Sequence, residues 1–132
     1  MSRNIVDDNR SKAVIYCRVA ANNDLNTEAN EIVVANQQAI CREYADNKGY
    51  QIASIFNDFA SGLTLERDGM KNLIDVIKRH EVSAVIVKDF DRIARSMTEM
   101  ERFNGLCQKH DVNILSALHD TSYDDYFSSL FT

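Results

Sequence analysis

Apolar positions along the chain alternate between two rhythms, one of strands and one of helices. Ala13 to Val19 (AVIYCRV) is a continuous run rich in strand formers, fit for a strand buried on both faces. From about Ile32 to Lys48, Val33, Ala35, Ile40, Tyr44 and Ala45 make a rough helical stripe, which Gly49 stops where a left-handed residue is wanted. Gln51 to Phe56 reads as a second strand. Met70, Leu73, Ile74 and Ile77 keep the i, i+3, i+4, i+7 spacing that lays one apolar helical face on a sheet. Ala84 to Val87 is a third strand. Ser96 and Glu99 have capping-box spacing ahead of a helix with Met100, Phe103, Leu106 and Cys107 on its inner face, and Val112 to Leu118 follows as a fourth strand. The alternation predicts an α/β fold: a mostly parallel sheet of about four to five strands flanked by helices, in a Rossmann-type three-layer arrangement.

Between these elements the polar stretch Asn22 to Glu31 has no clear period and is expected to form a long mobile loop after the first strand. Tyr123, Tyr126, Phe127 and Leu130 repeat the helical spacing, which predicts an amphipathic helix that begins there and is cut short. The expected organisation is a flexible N-terminal segment over 1–11, one domain over 12–119, and a truncated C-terminal helix over 120–132.

Composition narrows the class. No apolar run approaches the length needed to cross a bilayer, and the opening MSRNIVDDNRSK lacks a signal-peptide core, so a cytoplasmic protein without a membrane partner is expected. Cys17, Cys41 and Cys107 are widely spaced, with no CxxC pair, and read as buried reduced thiols. A net charge of -5, with no Lys or Arg after Lys109, argues against a firm grip on DNA by this chain alone. Any nucleic-acid role must be local or shared.

Ligands of open parallel sheets bind beyond the carboxyl ends of the strands. The first strand ends at Arg18, the second runs into Asp58 and Ser61, the third into Asp89, Asp91, Arg92 and Arg95, and the fourth reaches His119. With Arg67, four arginines fall on one expected rim. Arginine offers a planar fork of donors matched to phosphate, and a group of arginines repel one another unless they share an anion. A phosphate cage is the reading this favours; the plainer alternative pairs each arginine with a nearby carboxylate. Asp58, Asp89 and Asp91 could hold Mg²⁺, but a rim so rich in arginine suits a dication poorly, and neither metal nor cofactor is expected. His80 and His110 fall at helix ends, where a positive charge is favourable, while His119 has no partner at ligand spacing.

These residues carry a resemblance. From Lys12 to about Leu118 the chain resembles the catalytic domain of the resolvase/invertase family of serine recombinases. YCRVA matches the family's Y-x-R-V-S, ANQQAICREYADNKGY its glutamine-led first helix, DFASGLTLERDGMKNLI its D-x-x-S-G loop and the segment after it, and KDFDRIARS its K-x-x-D-R-L-x-R signature. The resemblance implies a resolvase-like catalytic domain over 12–119. Arg18, Arg67, Arg92 and Arg95 would be its phosphate-binding cage, Gln37 (or Gln38) its active-site glutamine, Ser61 the polar residue of a mobile loop, and Asp91 the carboxylate near the leaving oxygen. It further implies site-specific DNA recombination by phosphoryl transfer, DNA contacts through a missing C-terminal region, and a homo-oligomer, dimer or tetramer, in the full-length protein.

One position departs. The family's nucleophile is the serine two residues after the first-strand arginine, and here that residue is Ala20. A methyl group cannot attack phosphorus, so cleavage by this chain is not expected. Ala21 and the loop up to Gln37 also leave the family pattern, which favours natural divergence over a designed replacement. Two other readings stand beside an inactive recombinase domain: a non-catalytic assembly or regulatory subunit of a recombination complex, and a phosphate-binding signalling domain.

Overall fold

The computed structural model describes residues 11–19, 27–59 and 67–131. Strand β1, Lys12–Val19, is buried along all but its first residue, because it is paired on both edges and covered on both faces. On one edge lies β2, Gln51–Phe59, and on the other β3, Ala84–Val87, both parallel to it. Strand β4, Asn113–Ser116, continues the parallel run, and the two-residue β5, Thr121–Ser122, closes the sheet antiparallel, giving the order β2-β1-β3-β4-β5.

Side chains alternate across β1 and divide the core into two layers. Ala13, Ile15 and Cys17 face α1, Thr27–Lys48, packing with Cys41 and Ala45. Val14 and Tyr16 face the opposite way and share a larger cluster with Met70, Leu73 and Ile77 of α2, Asp68–Lys78, and with Met100, Phe103 and Cys107 of α3, Met97–Lys109. The short α4, Tyr123–Ser129, joins that same layer through Tyr123. The expected α/β sheet between helical layers is thus the observed fold.

Local chemistry sets several ends. Ser96 accepts from the backbone N–H of Glu99 and caps α3, as its spacing predicts. Gly49 takes φ +82 and ends α1. All three cysteines are buried free thiols. Among the described residues no helix is long and apolar enough to cross a membrane.

The structure corrects four boundaries. Helix α1 starts at Thr27, so residues 27–31 are helical where a loop was expected; their polar side chains hide the period, and Glu28 in the first turn suits the helix dipole. Its buried face is Asn30, Val34, Gln37, Cys41 and Ala45, whereas Val33 and Ile40 of the expected stripe are 43% and 39% exposed. Strand β2 runs three residues past Phe56 to Phe59, and β4 spans only Asn113–Ser116 before the chain turns at Asp120, φ +50.

Candidate active site

The carboxyl ends of β1, β2 and β3 meet at one rim. Arg18, the penultimate residue of β1, is 1% exposed. Its Nε donates to the carbonyl of Arg92 at 2.9 Å and its Nη2 to that of Asp91 at 2.8 Å. These carbonyls belong to a 3₁₀ turn, Phe90–Arg92, that follows β3 and is capped by Asp89, whose carboxylate accepts from Phe90 N–H at 2.7 Å. Arg92 answers by donating from Nη1 to the carbonyl of Arg18 at 3.0 Å. The two arginines therefore fix each other's backbone, and none of these three bonds neutralises a charge.

Arg67 stands before the first turn of α2, 5% exposed, with a guanidinium nitrogen on the carbonyl of Ile93 and its Cζ 5.7 Å from the centre of the Tyr16 ring. Burial, then the positive charges of Arg67 and Arg92, with a smaller push from Arg95, hold the Arg18 pKa below the ordinary value for arginine. The structure thus brings Arg67 and Arg92 close to Arg18 at an electrostatic cost, with Arg95 farther out. Arg92 also engages its neighbour Asp91, with Nε to Oδ1 at 3.0 Å. Arg95 is exposed and lines an open pocket of about 470 Å³ with Asp89, Asp91, Met100 and Tyr126.

Of the two glutamines left open by the sequence, Gln37 is the one turned inward. Its Oε1 accepts from Arg18 N–H at 3.2 Å and its Nε2 donates to the Arg18 carbonyl at 3.0 Å, so the amide clamps the end of β1 as a neighbouring strand would. Gln38 is displaced by one residue and bonds Asn57 Oδ1 at 3.1 Å instead. Ala20 and Ser61 lie outside the described residues.

Two groupings escape a reading of the sequence. Asp58 accepts from Tyr16 Oη at 2.6 Å and from the N–H groups of Gly69 and Met70 at 2.7 and 2.9 Å. It caps α2 and fixes the floor beneath the arginines. Burial and the bond to Asp58 push the Tyr16 phenol well above its ordinary range. His119, for its part, stands 3.3 Å from Asp89 Oδ1 and stacks on Phe90, centroids 6.0 Å apart. Asp89 lies thirty positions earlier, so only the pairing of β3 with β4 brings the two together.

A family model described as "Resolvase, N terminal domain" matches residues 13–131. A protein of Acanthamoeba polyphaga mimivirus, named as a resolvase, is 34% identical over 92 residues, covering 70% of this chain. That match takes in 42% of the mimivirus protein, so the chain spans less than half the length of this relative. The crystal structure of the N-terminal catalytic domain of TP901-1 integrase superposes with a TM-score of 0.77 at 26% identity, over 91% of this chain and 88% of that one. The first open reading frame of transposon ISC1904 from Sulfolobus solfataricus P2 gives 0.58 at 29% identity, over 80% and 66%. A resolvase family site-specific recombinase from Streptococcus pneumoniae, at 17% identity and a TM-score of 0.72 over 92% and 85%, shares the fold.

Proposed function

This chain belongs to the resolvase family of serine recombinases, and on that premise we propose that its four arginines form a cage for a DNA phosphodiester in a domain that has lost the attacking group. The observation that carries the reading is the state of Arg18: buried, oriented by two carbonyls, and disfavoured in its charged form by the arginines around it. Protein folds rarely gather like charges in a low-dielectric rim without an anionic occupant to offset them. A phosphodiester under attack spreads negative charge over its oxygens, and donors fixed in advance stabilise it without reorganising.

The remaining residues take positioning roles in this proposal. Gln37 holds the Arg18 end of β1 in register. Asp91 orients Arg92 through its side chain and Arg18 through its carbonyl. Ser61, between β2 and α2 in sequence, would contribute a hydroxyl. A serine at residue 20 would attack phosphorus, form a phosphoserine link and release a deoxyribose hydroxyl, and strand exchange and religation would follow. Ala20 supplies no lone pair for that attack. DNA contact through further chain, and a dimer or tetramer in the full-length protein, complete the proposal. Because Ala20 abolishes the covalent route, a second role is also supported: a non-cleaving subunit that joins active homologues at a recombination site.

The deciding experiment is Ala20→Ser in the complete protein, incubated with labelled cognate DNA and resolved on a denaturing gel, alongside Ala20→Ser with Arg92→Ala. A covalent adduct in the first and none in the second is the expected result. DNA bound by both without an adduct in either overturns the cleavage-competent cage and leaves the assembly role.

A further inference from the structure

At the opposite end of the sheet from the arginines, α2 and α3 finish side by side. His80 follows α2 by two residues and His110 caps α3, each just ahead of the strand that re-enters the sheet. His80 takes φ +58 and Asp111 φ +57, so each helix ends in a tight left-handed turn. The two rings meet edge to face, centroids 5.0 Å apart and planes at 61°, with His110 Nδ1 3.4 Å from His80 Nε2.

We propose that His80 and His110 form a two-point binding site for a divalent transition-metal ion of the zinc class, separate from the phosphate cage. Two imidazole nitrogens held at about 2.0–2.1 Å from a tetrahedral ion lie about 3.3–3.4 Å from each other. The observed separation is that span. The carbonyl ends of both helices also converge on this corner, and a helix C-terminus favours a positive charge.

The surrounding charges are mixed. Lys78, Arg79 and Lys109 oppose a cation, while Asp75, Glu81 and Asp111 favour one, and Arg79 is already engaged with Glu81 at 2.7 Å. Among the described residues no group of three His, Cys, Asp or Glu gathers, so the pair would supply two ligands and solvent, which reaches the exposed His80, would supply the others. Such a site uses the lone pairs of His80 Nε2 and His110 Nδ1, the two nitrogens that face each other. Its effect on the fold is a clip between the ends of α2 and α3.

The test is a titration of the full chain with Zn²⁺ alone at pH 7.5, read by calorimetry and by the ¹⁵N shifts of the histidine rings. One ion should bind per chain, moving His80 Nε2 and His110 Nδ1 and raising the thermal midpoint. His80→Gln and His110→Gln should each weaken binding at least tenfold and remove the thermal shift, while His119→Gln leaves both unchanged. Shifts confined to other rings, equal affinity in the His80 and His110 variants, or no saturable binding in the wild type would overturn the proposal. The ring shifts are read on the wild type, so that outcome does not depend on the variants folding, and none of these readouts involves the arginine cage.

Discussion

Gly69 and Gly105 are both helical glycines, yet they should respond oppositely to the same methyl group. A Cβ at Gly69 would stand 2.6 Å from the carbonyl oxygen of Asn57 and 2.8 Å from Asp58 Oδ1, where α2 presses its first turn onto the end of β2. Backbone on one side and a three-bonded carboxylate on the other leave little room to yield. Gly69→Ala should therefore cost about 2 kcal/mol and disturb the Asp58 cap. Nothing lies within 4 Å of a Cβ at Gly105, so Gly105→Ala should stabilise α3 by about 0.5–1 kcal/mol. Urea unfolding of the two variants checks both signs. The sequence shows two glycines and no hint of the difference, because the close approach at Gly69 is made by a strand end more than ten positions away. Asp58 is a similar case. Its position after a strand made it a candidate ligand for Mg²⁺, but its oxygens are taken by Tyr16 and the α2 N–H groups. The nearness of Arg18 and Arg92 was legible for a better reason: strand ends can be read from apolar runs, and a parallel sheet puts them on one rim.

Helices show where periodicity misleads. Helix α2 has a face that is apolar throughout, and of the positions that predict it Met70, Leu73 and Ile77 are buried while Ile74 is half-buried and Val76 takes its place in the core. Helix α1 buries Asn30 and Gln37 along with Val34, Cys41 and Ala45. Counting apolar residues alone therefore moved its face by about one position and lost its first turn, since the polar residues that serve the rim are themselves part of the buried stripe. The corrected face makes a sharp prediction. Val34, 7% exposed, packs beneath the helix, and Val34→Ala should cost about 2 kcal/mol. Val33, beside it in sequence and 43% exposed, should lose under about 0.5 kcal/mol on the same change. Equal losses in thermal or urea unfolding would mean that α1 sits in another rotation. Of the α4 stripe, Tyr126 and Phe127 are half-buried and Leu130, past the helix end, is 58% exposed. Tyr123 is buried and meets Phe90 edge-on at 5.4 Å, while Phe131, 75% exposed, touches only Phe127 among the rings.

At the scale of the whole molecule, charge and burial are distributed so that the two ends of the sheet do different work. Burial, with a smaller push from Asp124, moves the Cys107 thiol up to about 12 from an ordinary 9.0. A native pKa above the unfolded one means that the folded state holds its proton longer. Its stabilisation is complete below pH 9 and is lost as pH rises from there toward 12, at no more than about 1.4 kcal/mol per pH unit. Cys107→Ala should accordingly make the alkaline fall in stability shallower between those limits, whatever its effect at neutral pH. The arginine rim gives the stronger test. In a chain of net charge -5, a buried arginine disfavoured by burial and by three others is a local reversal of sign, and an anion bound at that spot would relieve it. Sulfate, a tetrahedral dianion, should raise the thermal midpoint saturably at low millimolar concentration, with a gain of about 1.4 kcal/mol at ten times its Kd. Chloride at matched ionic strength screens the repulsion without bridging the guanidinium forks and should give less. General exclusion of sulfate from protein surface also stabilises, but it rises steadily with concentration and does not saturate. Arg92→Ala removes one fork and the bond to the Arg18 carbonyl, so the saturable part should vanish while the steady rise persists. If the saturable part survives in Arg92→Ala, the anion is bound elsewhere, and the arginines are an internal scaffold and not a phosphate cage.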